Sequence, residues 1–150
     1  MKVCPLDEVL GYSNLFVVER FTGKHRVSLE DGEEIFRETL KLLWLMDTHK
    51  KEPIAAPRRI IVYRPMAVID EMWHEFILFS RAYTAFCRRF FGNYLHHKPT
   101  TSADRVRERD REDLRREVEA QCRYIREKLG GETLARWFKD FPARYPGFTP

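Results

Sequence analysis

Apolar residues recur along this chain at spacings of three and four, the period of helices. In the first segment, Leu6 to Arg26, they fall at Leu10, Leu15, Phe16, Val17, Val18 and Phe21, which predicts one or two short helices. Ser28 opens the next element: its hydroxyl can cap a helix, and Asp31 suits the positive end of the helix dipole. Ile35, Phe36, Leu40, Leu43 and Trp44 carry that helix, Leu42, Leu45 and Met46 widen its stripe, and it should last to about His49. Pro53 and Pro57 then forbid a helix interior between Lys50 and Arg64. Ile60-Ile61-Val62-Tyr63 could extend briefly, but a lone strand has no partner in so helical a chain.

Pro65 fits the first turn of a long central helix, expected from about Met66 to Phe90. Ile69, Met72, Trp73, Phe76, Phe79, Tyr83, Phe86, Cys87 and Phe90 share one broad face, and Ile77 and Leu78 lie outside it. A helix apolar on more than one side needs neighbours all round. Gly92-Asn93 is its natural stop, with His96-His97-Lys98-Pro99 following as a loop. A long charged helix is expected from about Ser102 to Leu129, ended by Gly130-Gly131. Its residues Leu114, Val118, Cys122, Ile125 and Leu129 make one narrow seam, which can dock on the body or pair with a partner helix, including a second copy. Glu132 to Asp140 predicts a last short helix. The fold class is all-α, a single-domain helical bundle over residues 1–150.

Composition narrows the function classes. The 150 residues, 43% hydrophobic and 33% charged, suit one globular domain with a real core. No apolar run approaches the roughly 18 residues of a membrane span, and the acidic residues of MKVCPLDEVL sit where a secretory signal would be apolar. A cytoplasmic protein is expected. The net charge is only +4, and acidic residues interleave with the arginines of the charged helix, so no specific nucleic-acid binding is expected. Cys4, Cys87 and Cys122 are far apart and odd in number, hence reduced thiols.

The chemistry-bearing segment is Ile69-Asp70-Glu71-Met72-Trp73-His74-Glu75-Phe76, with His96-His97 about twenty residues later. Asp70 and His74 are four apart and project from one helix face. In one reading Asp70 accepts a hydrogen bond from His74 and fixes its tautomer. In the other, Asp70, His74 and one of His96 or His97 hold a divalent metal. The helical zinc signature H-E-x-x-H is absent, since Leu78 stands where its second His would be. Chain length weighs against a shared site. A straight helix from His74 to Gly92 rises roughly 27 Å, whereas the few residues from Gly92 to the His pair reach only about 13–18 Å. Contact would need the helix to end early or bend, around Ser80 to Thr84. Separate structural roles therefore rank first, with Asp70 on His74 and the His pair near the helix end. Trp73 and Cys87 complete the polar cluster, Cys87 as a small hydrophobe. No catalytic residue and no cofactor other than that metal is assigned.

These residues also suggest a family. Ile69-Asp70-Glu71-x-Trp73-His74-x-x-Ile77-Leu78, then Tyr83, Cys87, Phe91-Gly92 and Leu95-His96-His97-x-Pro99, resembles the glycine-rich domain-containing-protein-like family over about Glu33 to Pro99. The chain departs from that pattern at Phe76 and Phe86, where the family has His and Asp. The resemblance implies a small helical fold and no particular reaction. The leading functional expectation is a non-catalytic helical interaction or accessory module with a protein partner. The alternative is a metal-binding protein or metal-dependent enzyme using Asp70, His74 and His96 or His97.

Overall fold

A computed structural model describes residues 2–98 and 111–148, and among these every regular element is a helix. The all-α class is as the apolar spacing predicts. The chain starts with α1 (Leu6–Leu10) and α2 (Leu15–His25), followed by the long α3 (Leu29–Lys51). Side chains begin the last two as local chemistry dictates. Asn14 Oδ1 accepts the Val17 N–H at 3.3 Å, and Ser28 Oγ accepts the Asp31 N–H at 3.1 Å. α2 crosses α3 closely at Gly32, where a Cβ would lie 2.3 Å from Thr22 Cγ2. Only glycine permits that approach.

Residues 52–63 form no regular element, as Pro53 and Pro57 require. Ile61, in the segment considered for a strand, is partnered by a side chain instead. The buried Gln121 amide accepts the Ile61 N–H at 2.8 Å and donates to the Ile61 carbonyl at 2.7 Å. A 3₁₀ turn at Arg64–Met66 then leads into α4 (Ala67–Leu78), which packs against α2, α3 and α5 (Ser80–Phe91).

The predicted continuous helix from Met66 to Phe90 is corrected here: it is two helices, α4 and α5. The chain leaves helical geometry at Phe79, with φ −84° and ψ 65°. Packing explains the break. Ring centroids of Tyr83 and Phe86 lie 5.0 and 5.2 Å from that of Phe76. A straight helix would separate Phe76 from Phe86 by about 15 Å of rise. Folding α5 back exchanges backbone continuity for an aromatic cluster that also takes in Tyr12 and Phe36. Gly92, at φ +80°, ends α5 in the left-handed region, and residues 94–98 run back as an irregular strap.

α6 (Arg111–Leu129) is the described part of the charged helix; residues 102–110 of that expectation lie outside the described residues. Along its seam Ile125 is fully buried, whereas Leu114, Val118, Cys122 and Leu129 are partly covered. Gly130 stops it at φ +95°. The predicted last helix is α7 (Gly131–Ala135), continued by a π turn at Arg136–Asp140 and by α8 (Phe141–Arg144). The Arg144 guanidinium ties this end to the start of α3, 2.8 Å from Glu34 and 3.1 Å from Asp31.

Candidate functional site

The break at Phe79 makes the candidate site. Trp73 Nε1–H donates to the Tyr83 hydroxyl at 3.0 Å, and that hydroxyl donates to the Leu95 carbonyl. One relay thus joins α4, α5 and the strap through buried groups, and it fixes the backbone two residues before His97. Burial pushes the Tyr83 phenol well up, so it stays a hydrogen-bond donor. Cys87 lies in the same layer, fully buried, and burial pushes its thiol up as well. Burial disfavours the thiolate, and Cys87 packs there as a small hydrophobe.

His97 reaches back over α4. Its Nε2 is 2.6 Å from Asp70 Oδ1, and its ring lies 4.3 Å from both the Trp73 and His74 rings. Asp70 projects from the first turn of α4 and is only 5% exposed. His74 Nε2 is 3.8 Å from Asp70 Oδ2, and His74 is 44% exposed. One ligand atom each from Asp70, His74 and His97 lies within 4.8 Å of the others. His96 points elsewhere: it is exposed and packs at a tilt against Tyr94, with ring centroids 4.6 Å apart.

Two expectations are corrected by this geometry. The short bond of Asp70 is with His97, not with His74. His74 and His97 do not keep separate places, because the chain folds back at Phe79, one residue before the range where a bend is needed, whereas His96 does stay apart.

A second charged layer adjoins the first. Glu75 is 1% exposed, with Arg20 Nε at 3.1 Å on one oxygen and Lys24 Nζ at 3.0 Å on the other. Glu71 faces Lys24 at 3.5 Å, His25 Nε2 at 3.4 Å and His74 Nδ1 at 3.6 Å. Sequence reasoning missed this layer. Its signal was present as two matching i, i+4 pairs, Arg20/Lys24 and Glu71/Glu75, which fit two antiparallel helices.

Among the described residues the buried acids are Glu38, Asp47, Asp70 and Glu75. Glu38 faces Lys41 and Arg136, Asp47 faces Lys51, and Glu75 faces Arg20 and Lys24. Asp70 instead faces two imidazoles. Lysine and arginine hold their protons, whereas imidazole releases its proton near neutrality and then offers a lone pair. The donor set of two imidazoles and one carboxylate suits zinc, iron or a similar divalent transition metal better than magnesium or calcium.

The molecule is thus an all-α protein with a mixed imidazole–carboxylate cluster between its central helix and a returning strap. The chain belongs to the UCP032817-like family, whose model matches residues 18–137. That match overturns the resemblance to the glycine-rich domain-containing-protein-like family. Trp73, Tyr83, Gly92 and Leu95, four residues of that longer pattern, pack and turn the α4–α5 hairpin. No curated protein and no solved structure matches this chain.

Proposed function

We propose that this is a divalent-metal-binding protein whose ligands are Asp70, His74 and His97. The observation that carries the reading is the buried Asp70 carboxylate held between imidazoles, with no lysine or arginine to neutralise it among the described residues. A metal would take the place of the contact between His97 Nε2 and Asp70, and because its ligands must be free of protons, binding would weaken as pH falls. Three protein ligands leave coordination positions open, the pattern of a reactive centre and not of a closed structural one. The exposed flank of His74 gives solvent and small molecules access to it. Bound there, an ion would act as a Lewis acid toward water or an oxygen ligand.

Metal analysis of tag-free protein, with Co²⁺ titration followed by absorption, tests the reading. One ion per chain is expected, lost in Asp70→Asn, His74→Ala and His97→Ala and kept in His96→Ala. Wild-type protein that neither retains metal nor perturbs the cobalt spectrum would overturn it.

A second reading, the interaction or accessory module, is supported by two exposed apolar side chains. Phe16 is 73% and Leu78 64% exposed. The antiparallel register set by Arg20 and Lys24 on Glu75 brings them to the same end of the α2–α4 pair. Sedimentation of wild type and of Phe16→Gln/Leu78→Gln tests association through this end; association equal in the two proteins excludes it.

A further inference from the structure

We propose that Glu71 is the positioning residue of this centre: it selects the His74 tautomer that presents Nε2 to the metal. The proposal rests on the metal-binding reading for its consequence, but the tautomer itself is a property of the protein alone.

His74 lies between two carboxylates. Its Nδ1 is 3.6 Å from Glu71 Oε2, and its Nε2 is 3.8 Å from Asp70 Oδ2. A neutral imidazole has one N–H, so only one of these carboxylates can receive it. The two acids are not equivalent. Asp70 is deeply buried and already engaged by His97 at 2.6 Å, in the place where ligand atoms converge. Glu71 stands outside that convergence on the adjoining layer, 24% exposed. A proton on Nδ1 directed at Glu71 leaves the Nε2 lone pair facing Asp70 and the ion. The opposite tautomer aims an N–H at the ion and blocks ligation. Both distances exceed a direct hydrogen bond, and a small ring rotation that brings Nδ1 onto Glu71 also sets the direction of Nε2. Metal-bound histidines commonly have this second partner on the other ring nitrogen.

Glu71 is held in place from the opposite side. Lys24 Nζ lies 3.5 Å and His25 Nε2 3.4 Å from Glu71 Oε1, so α2 fixes one oxygen while the other faces His74. The His25 ring is packed between Phe21 at 4.6 Å and Phe148 at 4.9 Å, and its buried Nε2 has no hydrogen-bond partner. That nitrogen lies 3.4 Å from Glu71 Oε1 without forming a hydrogen bond to it. The carboxylate therefore has charged or polar neighbours on both sides, Lys24 and His25 from α2 and His74 from α4.

Two measurements on the full chain decide the matter. In long-range ¹H–¹⁵N spectra of metal-free wild type, His74 should show Nδ1 protonated and Nε2 bare. Glu71→Ala should move it toward the Nε2–H form, and Glu71→Gln, which keeps an acceptor oxygen, should retain the wild-type pattern. In Co²⁺ titrations Glu71→Ala should weaken binding by roughly 10–100-fold at unchanged stoichiometry, whereas Glu71→Gln should stay within about threefold of wild type. An unchanged His74 tautomer in folded Glu71→Ala overturns the proposal, as does wild-type cobalt affinity in that variant. If instead wild type and Asp70→Asn both ignore cobalt, the metal reading fails, and the ¹⁵N spectra still decide the role of Glu71.

Discussion

Glu38 and Asp70 are both buried acids on central helices, and they have been given opposite surroundings. Glu38, on α3, is 2% exposed with Lys41 at 2.9 Å, Arg136 at 3.3 Å and the Trp137 Nε1–H at 2.9 Å. Every one of those partners is a permanent donor, so the carboxylate is used up in holding the C-terminal helices to α3. Asp70, on α4, is 5% exposed, and its ion-pair partners among the described residues are imidazoles. An imidazole nitrogen, unlike an ammonium or a guanidinium, can also serve as a metal ligand. Burial alone therefore says little about function. What distinguishes the two regions is whether the partners of the acid can also act as ligands.

Each region is anchored by a tryptophan, and truncating it gives the largest expected effect. Trp73 is 2% exposed and Trp137 fully buried, and each donates its N–H to a buried acceptor. Trp73→Ala and Trp137→Ala should each cost about 3–5 kcal/mol in urea unfolding. Either variant melting within a degree or two of wild type would show that its helix is not a core element. The comparison sharpens in weaker backgrounds: Trp73→Phe should loosen the relay to Leu95 and lower metal affinity, and Trp137→Phe should leave affinity unchanged.

Exchanging the acids themselves separates stability from ligation. Glu38→Gln leaves Lys41 and Arg136 without their counter-charge and should cost about 3 kcal/mol, the low end for a broken buried pair because both cations are partly exposed. Asp70→Asn still accepts from His97 and should cost only about 1–2 kcal/mol. The ranking reverses for metal, which Asp70→Asn loses and Glu38→Gln keeps. Chemical denaturation together with Co²⁺ titration of both variants checks the crossed pattern; equal losses in both columns would erase the distinction.

Metal should also stabilise one region selectively. An ion at 100 times its dissociation constant adds about 2.7 kcal/mol to unfolding. The melting temperature of wild type should therefore rise with added Zn²⁺, and that of Asp70→Asn should not. A rise of the same size in both would place the ion elsewhere on the chain.

How far these regions could be read from the sequence follows from what holds them. α3 was legible because its cap and stripe are local: Ser28, then Ile35 through Met46. The end of α6 was legible because Gly130 takes a left-handed conformation that other residues avoid. The break at Phe79 was not, since neither proline nor glycine marks it and the apolar pattern runs straight through. It is held by contacts between rings ten residues apart, Phe76 and Phe86, which spacing rules do not see. Asp70 and His74 were found because i, i+4 is local, whereas the choice of His97 over His96 depended on that hidden turn. Glu38 left a trace that went unread. It sits three residues after Ile35 and four before Leu42, in the middle of the buried stripe, where an acid requires a partner.

The smallest effect tests the permanent-cation rule where the pairing is more exposed. Glu52, which ends α3, lies 2.6 Å from Lys128 and accepts from the Tyr124 hydroxyl at 3.0 Å. The Lys128 hydrogen bond, then that of Tyr124, holds the Glu52 carboxyl below its ordinary value of 4.5, against the opposing effect of burial. A carboxyl lowered on folding contributes stability that is fully present above its unfolded value and is lost as pH falls through the folded one. Both side chains are 25% exposed, which places the pair among partly screened ion pairs worth about 0.2–1 kcal/mol. Lys128→Ala should therefore cost that amount at pH 7, and wild type and variant should converge as pH falls through the lowered Glu52 value. High salt should shrink the difference at pH 7, because the pair is open to solvent. A gap that persists undiminished at low pH would assign the loss to packing of the lysine stem on the Tyr124 ring, 5.8 Å from the ammonium, and not to charge.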